Sequence, residues 1–199
     1  AVLGYTQSDE ISILLMNYSK FTTQSWFDNT LQKMVSISAA MASAFATLEY
    51  NRGYIYTDEP DYIRLIQFDS RAFVLPEAEV NNYFISRQND CQRNSIQMVG
   101  QAHFSQTELN GKCNQEIIEM LIQQKDIDWN KLKIYKQRGT CIIRSAHSSF
   151  LLNGKQITAD TWSHDFDIPR FIGEGRDYIE RYLYPDDPNN TTFRKDGNN

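Results

Sequence analysis

Two short apolar, β-prone runs open the chain, AVLGYTQ and ISILLM, with Ser8, Asp9 and Glu10 between them. Such runs bounded by a polar turn predict two strands, residues 1–7 and 11–16, joined as a hairpin. The period then lengthens. Phe27, Leu31, Met34, Met41, Phe45 and Leu48 recur at helical spacing, which predicts a helix whose start Thr22 or Thr23 caps. Its Ala- and Ser-rich middle, SISAAMASAFA, suits close packing against a sheet. After a DEP loop at 58–60, YIRLIQFD at 62–69 reads as the next strand. Pro76 sits well as the first residue of a second helix, PEAEVNNYFISRQNDCQRN, with Glu77 and Glu79 in its first turn, where acidic side chains meet the positive end of the helix dipole. Ser105 and Glu108 have the spacing of a capping box, and NQEIIEMLIQQ reads as a further helix. Asn153-Gly154, between the strand-like halves of SSFLLNGKQITAD, marks a tight hairpin. The polar end, PDDPNNTTFRKDGNN, is expected to be loop-like.

This order is strand, strand, helix, strand, then helices and a late hairpin. With one strand and one helix placed before it, the opening becomes β-α-β-β-α-β. The expected fold is therefore α+β: a ferredoxin-like palm of the polymerase and cyclase type, missing its first strand and helix, with added helices and a C-terminal hairpin. Residues 1–104 are expected to form the palm, and 105–199 the helical and hairpin part of the same domain. The chain has no initiator Met and its first strand reads as already under way, so upstream residues are expected.

Composition narrows the classes. With 41% hydrophobic and 13% aromatic residues, the 199-residue chain is expected to fold around a real core rather than stay disordered. No apolar run approaches the ~18 to 20 residues of a membrane span, and no basic start precedes a long apolar stretch as in a signal peptide. Cys91, Cys113 and Cys141 are odd in number and widely spaced, as reduced thiols of a cytoplasmic protein would be. His103, His147 and His164 share no metal-ligand spacing and are expected to be structural or superficial. Net charge is −5, against a surface that is all nucleic-acid footprint. Yet Lys131, Lys133, Lys136, Arg138 and Arg144 follow one another without an acidic residue, so a local basic surface is expected there. Trp129 and Trp162 could stack on bases, but partly buried core roles are expected for both.

The adjacent carboxylates Asp9 and Glu10 leave two readings open. One is a solvated turn. The other is a Mg²⁺ site, since Mg²⁺ takes hard oxygen ligands and a hairpin tip can present them on a fixed backbone.

Taken together and in order, GYTQSDEISILL, FDSRAFVLP, RQNDCQRNSIQM and IDWN…KQRGT resemble the tRNA(His) guanylyltransferase family, which includes relatives that repair truncated tRNA 5′ ends. The resemblance runs from about residue 1 to 144. It implies a nucleotidyltransferase that extends tRNA in the 3′-to-5′ direction, activating the 5′ end with ATP or GTP before the 3′-hydroxyl of an incoming GTP attacks, with two Mg²⁺ ions. By the same resemblance Asp9 and Glu10 are catalytic metal ligands, and Ser8 contacts the nucleotide. The family's other metal-binding Asp, in a D-G-x-x-F-H turn, has its place upstream of Ala1. Lys33 and Arg71 match positions that face triphosphate, with a solvated helix lysine and a structural salt bridge as the competing roles. Arg87, Arg93, Asn94, Lys136 and Arg138 match positions suited to RNA; Gln92 stands where eukaryotic members have His, which leans toward repair-type or bacterial relatives. The resemblance also implies a homotetramer and a tRNA partner, with no membrane. Two other readings remain: another palm enzyme such as a nucleotide cyclase, and a non-catalytic RNA-binding protein.

Overall fold

The opening hairpin forms where the sequence places it. The computed structural model describes residues 1–17, 23–52, 63–152 and 155–183. In it β1 (Leu3–Gln7) pairs antiparallel with β2 (Glu10–Leu14), Leu3 opposite Leu14 and Gln7 opposite Glu10. Ser8 and Asp9 alone connect them, with Ser8 at a φ of +49°. β3 (Thr140–Leu152) pairs with β4 (Lys155–Asp165) in a second antiparallel hairpin, Leu152 opposite Lys155. The Asn153-Gly154 turn lies outside the described residues. β3 also pairs with the free edge of β1, so the sheet order is β2-β1-β3-β4. With six helices, α1 (Leu31–Asn51), α2 (Glu77–His103), α3 (Gln106–Leu109), α4 (Asn114–Lys125), α5 (Ile134–Arg138) and α6 (Asp177–Leu183), the described fold is α+β. None of these helices is long and apolar enough to cross a membrane.

The chain divides into two compact units, one of Ala1–Leu15 with Pro76–Asn199, the other of Met16–Leu75. In the first, alternation along β1 turns Leu3, Tyr5 and Gln7 inward, all buried. The Tyr5 ring meets Phe84 of α2 edge-on at 6.3 Å and Phe171 at 5.8 Å. The second half of α2 builds another core, where Ile96 packs with Phe104, Leu109, Ile117, Leu121 and Trp129. Trp129 thus has the core role expected of it, its indole N–H donating to Ser95 Oγ at 3.0 Å. Trp162 is instead 46% exposed, with the Arg144 guanidinium over its ring. Ser105 caps α3 as predicted: the Glu108 carboxylate accepts the Ser105 hydroxyl at 2.6 Å and its N–H at 2.8 Å, and these bonds, the hydroxyl's first, hold the Glu108 carboxyl below its ordinary pKa. α2 runs to His103, well beyond the Asn94 expected, because Ile96 and Gly100 continue its buried stripe onto α4.

Gly139 explains the glycine of the KQRGT segment. Its φ is +81°, and a Cβ there would lie 2.6 Å from the Thr6 carbonyl oxygen and 2.9 Å from the Tyr5 hydroxyl. Only glycine lets the end of α5 pass this close under β1.

The second unit corrects two expectations. Phe27, Asp28 and Asn29 have φ of +51°, +50° and +57°, a left-handed turn that no right-handed helix can include. The helix therefore starts at Leu31 after Thr30 rather than near Thr22 or Thr23. The run at 62–69 forms no strand among the described residues. Its backbone lies along α1, whose polar side chains replace a neighbouring strand. Asn51 accepts the Arg64 N–H at 3.0 Å and donates to the Arg64 carbonyl at 2.8 Å. One turn earlier Thr47 Oγ1 accepts the Ile66 N–H at 2.9 Å, and Ser43 Oγ accepts the Phe68 N–H at 2.8 Å. Three helix side chains spaced by four residues thus serve alternate peptides of an extended segment.

Candidate functional site

The acidic turn joins the edge strand β2 to its inner neighbour β1, so the ladder beneath it fixes where its carboxylates start. The two carboxylates differ. Glu10 Oε2 accepts from Gln7 Nε2 at 2.8 Å and from Arg87 Nη1 at 3.2 Å. Among the described residues Asp9 has no ion-pair or hydrogen-bond partner for its side chain, and it is exposed. Arg87 also donates to Asp90 at 2.6 Å, and Asp90 in turn accepts from Arg93 at 2.6 Å. A chain of alternating charge, Glu10–Arg87–Asp90–Arg93, runs from the turn along α2. Its members at 87, 90 and 93 are three residues apart, which puts them on one helix face.

The donor set can be tested against Mg²⁺. Among the described residues no three His, Cys, Asp or Glu side chains are placed to hold a metal by themselves. Mg²⁺ does not require that, since one or two carboxylates with substrate phosphates and water suffice. Asp9 supplies an uncommitted carboxylate. Gln7 supplies a second observation: it is buried to 6% exposure, and its Oε1 has no hydrogen-bond partner. An orphaned buried oxygen and a free carboxylate, two residues apart in the chain, are oxygen donors of the kind a hard cation takes. Glu10 is already neutralised by Arg87.

Of the other expected site residues, Ser8 lies in the turn, and Asn94 stands exposed on α2 beyond Arg93. Lys136 is exposed, its carbonyl accepting from Ser95 Oγ at 2.6 Å. Arg138 is half-buried at the end of α5, where its carbonyl accepts the Tyr5 hydroxyl at 2.7 Å. Lys33 and Arg71 belong to the other unit. Lys33 is exposed in the first turn of α1, and Arg71 pairs with Asp69 at 3.1 Å with both side chains more than four-fifths exposed. All three cysteines are free thiols, Cys91 and Cys141 buried and Cys113 exposed. His164 lies against Phe166, and His103 ends α2.

Sequence reading missed Gln7 and gave Gln88, a member of the RQNDCQRN match, no role. Gln7 had a usable signal, a polar residue in phase with Leu3 and Tyr5 on the inward face of a strand. Gln88, buried at 2% exposure, bridges α2 to the 169–171 backbone, a role that spacing along the chain does not reveal.

A family model described as tRNAHis guanylyltransferase matches residues 1–76. Among solved structures, a bacterial tRNA(His) guanylyltransferase (Thg1)-like protein in complex with ATP is 43% identical, with a TM-score of 0.77, covering 92% of this chain and 71% of its own. A bacterial Thg1-like protein in complex with GTP is 40% identical, with a TM-score of 0.68, over 92% of this chain and 69% of that one. The tRNA(His) guanylyltransferase of Saccharomyces cerevisiae shares the fold at 18% identity and a TM-score of 0.55, over 79% and 67% of the two chains. No curated protein matches the sequence.

Proposed function

Because the chain belongs to the tRNA(His) guanylyltransferase (Thg1)-like family, it is a nucleotidyltransferase of the tRNA guanylyltransferase type, and we propose that it adds nucleotides to tRNA 5′ ends in the 3′-to-5′ direction. The ATP and GTP held by the two bacterial relatives are the nucleotides expected here, for 5′-end activation and for transfer. The uncommitted Asp9 carboxylate, carried on a hairpin tip that the sheet makes rigid, supports this reading most directly. In the proposal residues 1–104 act as a palm and 105–199 complete the same domain.

Asp9 would hold Mg²⁺, with Glu10 joining it when released from Arg87. Two such ions, when bound, neutralise charge on the reacting phosphate and lower the pKa of the attacking hydroxyl. The remaining work falls to the chain itself. Ser8 and the turn backbone orient the nucleotide above the sheet. Lys33 and Arg71 bind triphosphate oxygens, the arginine with a planar fork suited to two of them at once. Arg93, Asn94, Lys136 and Arg138 meet the RNA backbone, which supplies affinity without reading sequence. Arg87 joins that surface to the acidic turn through Glu10 and Asp90. We extend the reading to a cytoplasmic homotetramer, which light scattering at working concentration would measure.

The test is transfer of labelled GTP to a 5′-truncated tRNA. The full chain is expected to lengthen the RNA, and Asp9→Ala to slow this by about two to three powers of ten while circular dichroism stays unchanged. Full activity in a folded Asp9→Ala variant would remove the turn from the mechanism. Cyclic nucleotide formed from nucleoside triphosphate alone would favour a cyclase instead.

A further inference from the structure

Five arginines among the described residues have an obvious counter-charge. Arg52 pairs with Glu49, Arg71 with Asp69, Arg87 with Glu10 and Asp90, Arg93 with Asp90, and Arg176 with Glu180. Arg138 and Arg170 do not. Among the described residues neither has a carboxylate within ion-pair distance, although Asp167 lies only three residues before Arg170 in the chain. Asp165, the next acid along, accepts the Tyr178 hydroxyl at 2.6 Å instead.

The two arginine side chains converge on one segment, 168–170, through a built arrangement. Gln88 donates to the Pro169 carbonyl at 2.9 Å and accepts the Phe171 N–H at 2.8 Å, so the 169–171 backbone is pinned to α2 from both sides of the peptide. One turn on, Gln92 Oε1 accepts from Arg170 Nη2 at 3.2 Å. Arg138 reaches the same segment from α5, its Nη1 donating to the Ile168 carbonyl at 3.4 Å. Its own backbone is held by the Tyr5 hydroxyl and by the close pass of Gly139 under β1. Partial burial and then the nearby charge of Arg170 lower the proton affinity of Arg138, as expected for like charges held close without a partner. All of their side-chain partners within the fold are neutral oxygens. Two cations held this way, one of them half-buried, offer an anion donors with no internal counter-charge to displace.

We propose that Arg138 and Arg170, with Gln92 orienting the latter, form a phosphate-binding site. Two forked, uncompensated donors match the oxygens of one phosphate, supplied either by the tRNA strand or by a nucleotide triphosphate tail. The inference rests on the tRNA-acting reading above and deepens it, because Arg170 joins Arg138 and Gln92 acquires a role.

Fluorescence anisotropy with labelled tRNA, across ~50 to 200 mM salt, and calorimetry with GTP separate the two sources. Arg170→Gln alters an exposed side chain and is expected to fold. For a strand phosphate it weakens tRNA binding about tenfold and reduces the log–log salt slope by about one, leaving GTP affinity alone. For a triphosphate tail the loss falls in the GTP titration instead. Arg170→Lys, which keeps the charge, recovers part of the loss in whichever arm responds, and Arg176→Gln, whose arginine is already paired, changes neither. Unchanged affinity of Arg170→Gln in both arms overturns the site while the transferase reading stands. A wild-type chain that binds tRNA through Arg170 yet transfers no nucleotide overturns the transferase reading alone.

Discussion

Two extended segments of this chain are held in different ways. β1 is held by a ladder on both edges, Leu3 to Gln7 against β2 and Gly4 to Thr6 against β3. Residues 64–68 are held by Ser43, Thr47 and Asn51 of α1. The peptide groups are satisfied in both cases. A ladder is made by backbone that every residue carries, so it tolerates side-chain change. The helix-bound segment depends on three particular polar side chains, so single substitutions can release it. The acidic turn rides on the first kind of support, which suits a site whose carboxylates must stay in place.

Breaking the close pass under β1 should have the largest effect. Gly139→Ala forces a Cβ against the Thr6 carbonyl at a backbone angle that side chains avoid, so a loss of about 3 kcal/mol is expected in urea unfolding. A stable variant would mean that β1 and the end of α5 separate easily.

Next comes Asn51→Ala. Asn51 is buried at 2% exposure, and its loss leaves both polar groups of the Arg64 peptide without their partner. About 2 kcal/mol is expected. Hydrogen exchange at Arg64, Ile66 and Phe68 should rise while β1 amides stay protected. Equal loss of protection in β1 would mean that the two supports are not separate.

Alkaline titration sharpens the contrast from the ladder side. Burial pushes the Cys141 thiol from 9.0 up to about 12, and raises Tyr5 and Tyr178 as well. Below pH 9 the Cys141 thiol is protonated in the folded and the unfolded chain alike, so stability is flat. Above it the unfolded chain releases a proton that the folded one keeps, so stability falls as pH rises toward about 12, by up to about 1.4 kcal/mol per pH unit for each such group. At pH 8 a thiol reagent should modify Cys113 promptly and spare Cys91 and Cys141.

Smallest of all is Arg71→Gln. Both partners of the Arg71–Asp69 pair are more than four-fifths exposed, so stability should shift by less than about 0.5 kcal/mol. A clear loss of GTP affinity with that small stability change would assign Arg71 to nucleotide binding rather than to support of its loop.

Local features are legible in the sequence alone. The acidic hairpin needs only two β-prone runs and a polar turn, and the Ser105–Glu108 cap needs only its own spacing. α2 announces itself through Pro76 and two early glutamates, yet its far end does not, because contact with α4, not a stop signal, decides it. YIRLIQFD has the composition of a strand, and composition records only a preference for extended backbone. It says nothing of which partner takes the peptide hydrogen bonds.

Side-chain identity and spacing along the chain therefore determined the hairpins, most helices, the candidate carboxylates and the family resemblance, since these rest on interactions a few residues apart or on ordered motifs. Tertiary structure decided which charges are spent. Arg87 neutralises Glu10 across 77 residues of sequence, while Asp9 beside it has no described partner. Arg138 and Arg170 meet because Gln88, Gln92 and Tyr5 bind backbone or side chains far from their own positions. Electrostatic compensation acts through space over a few ångströms, and only folding sets those distances.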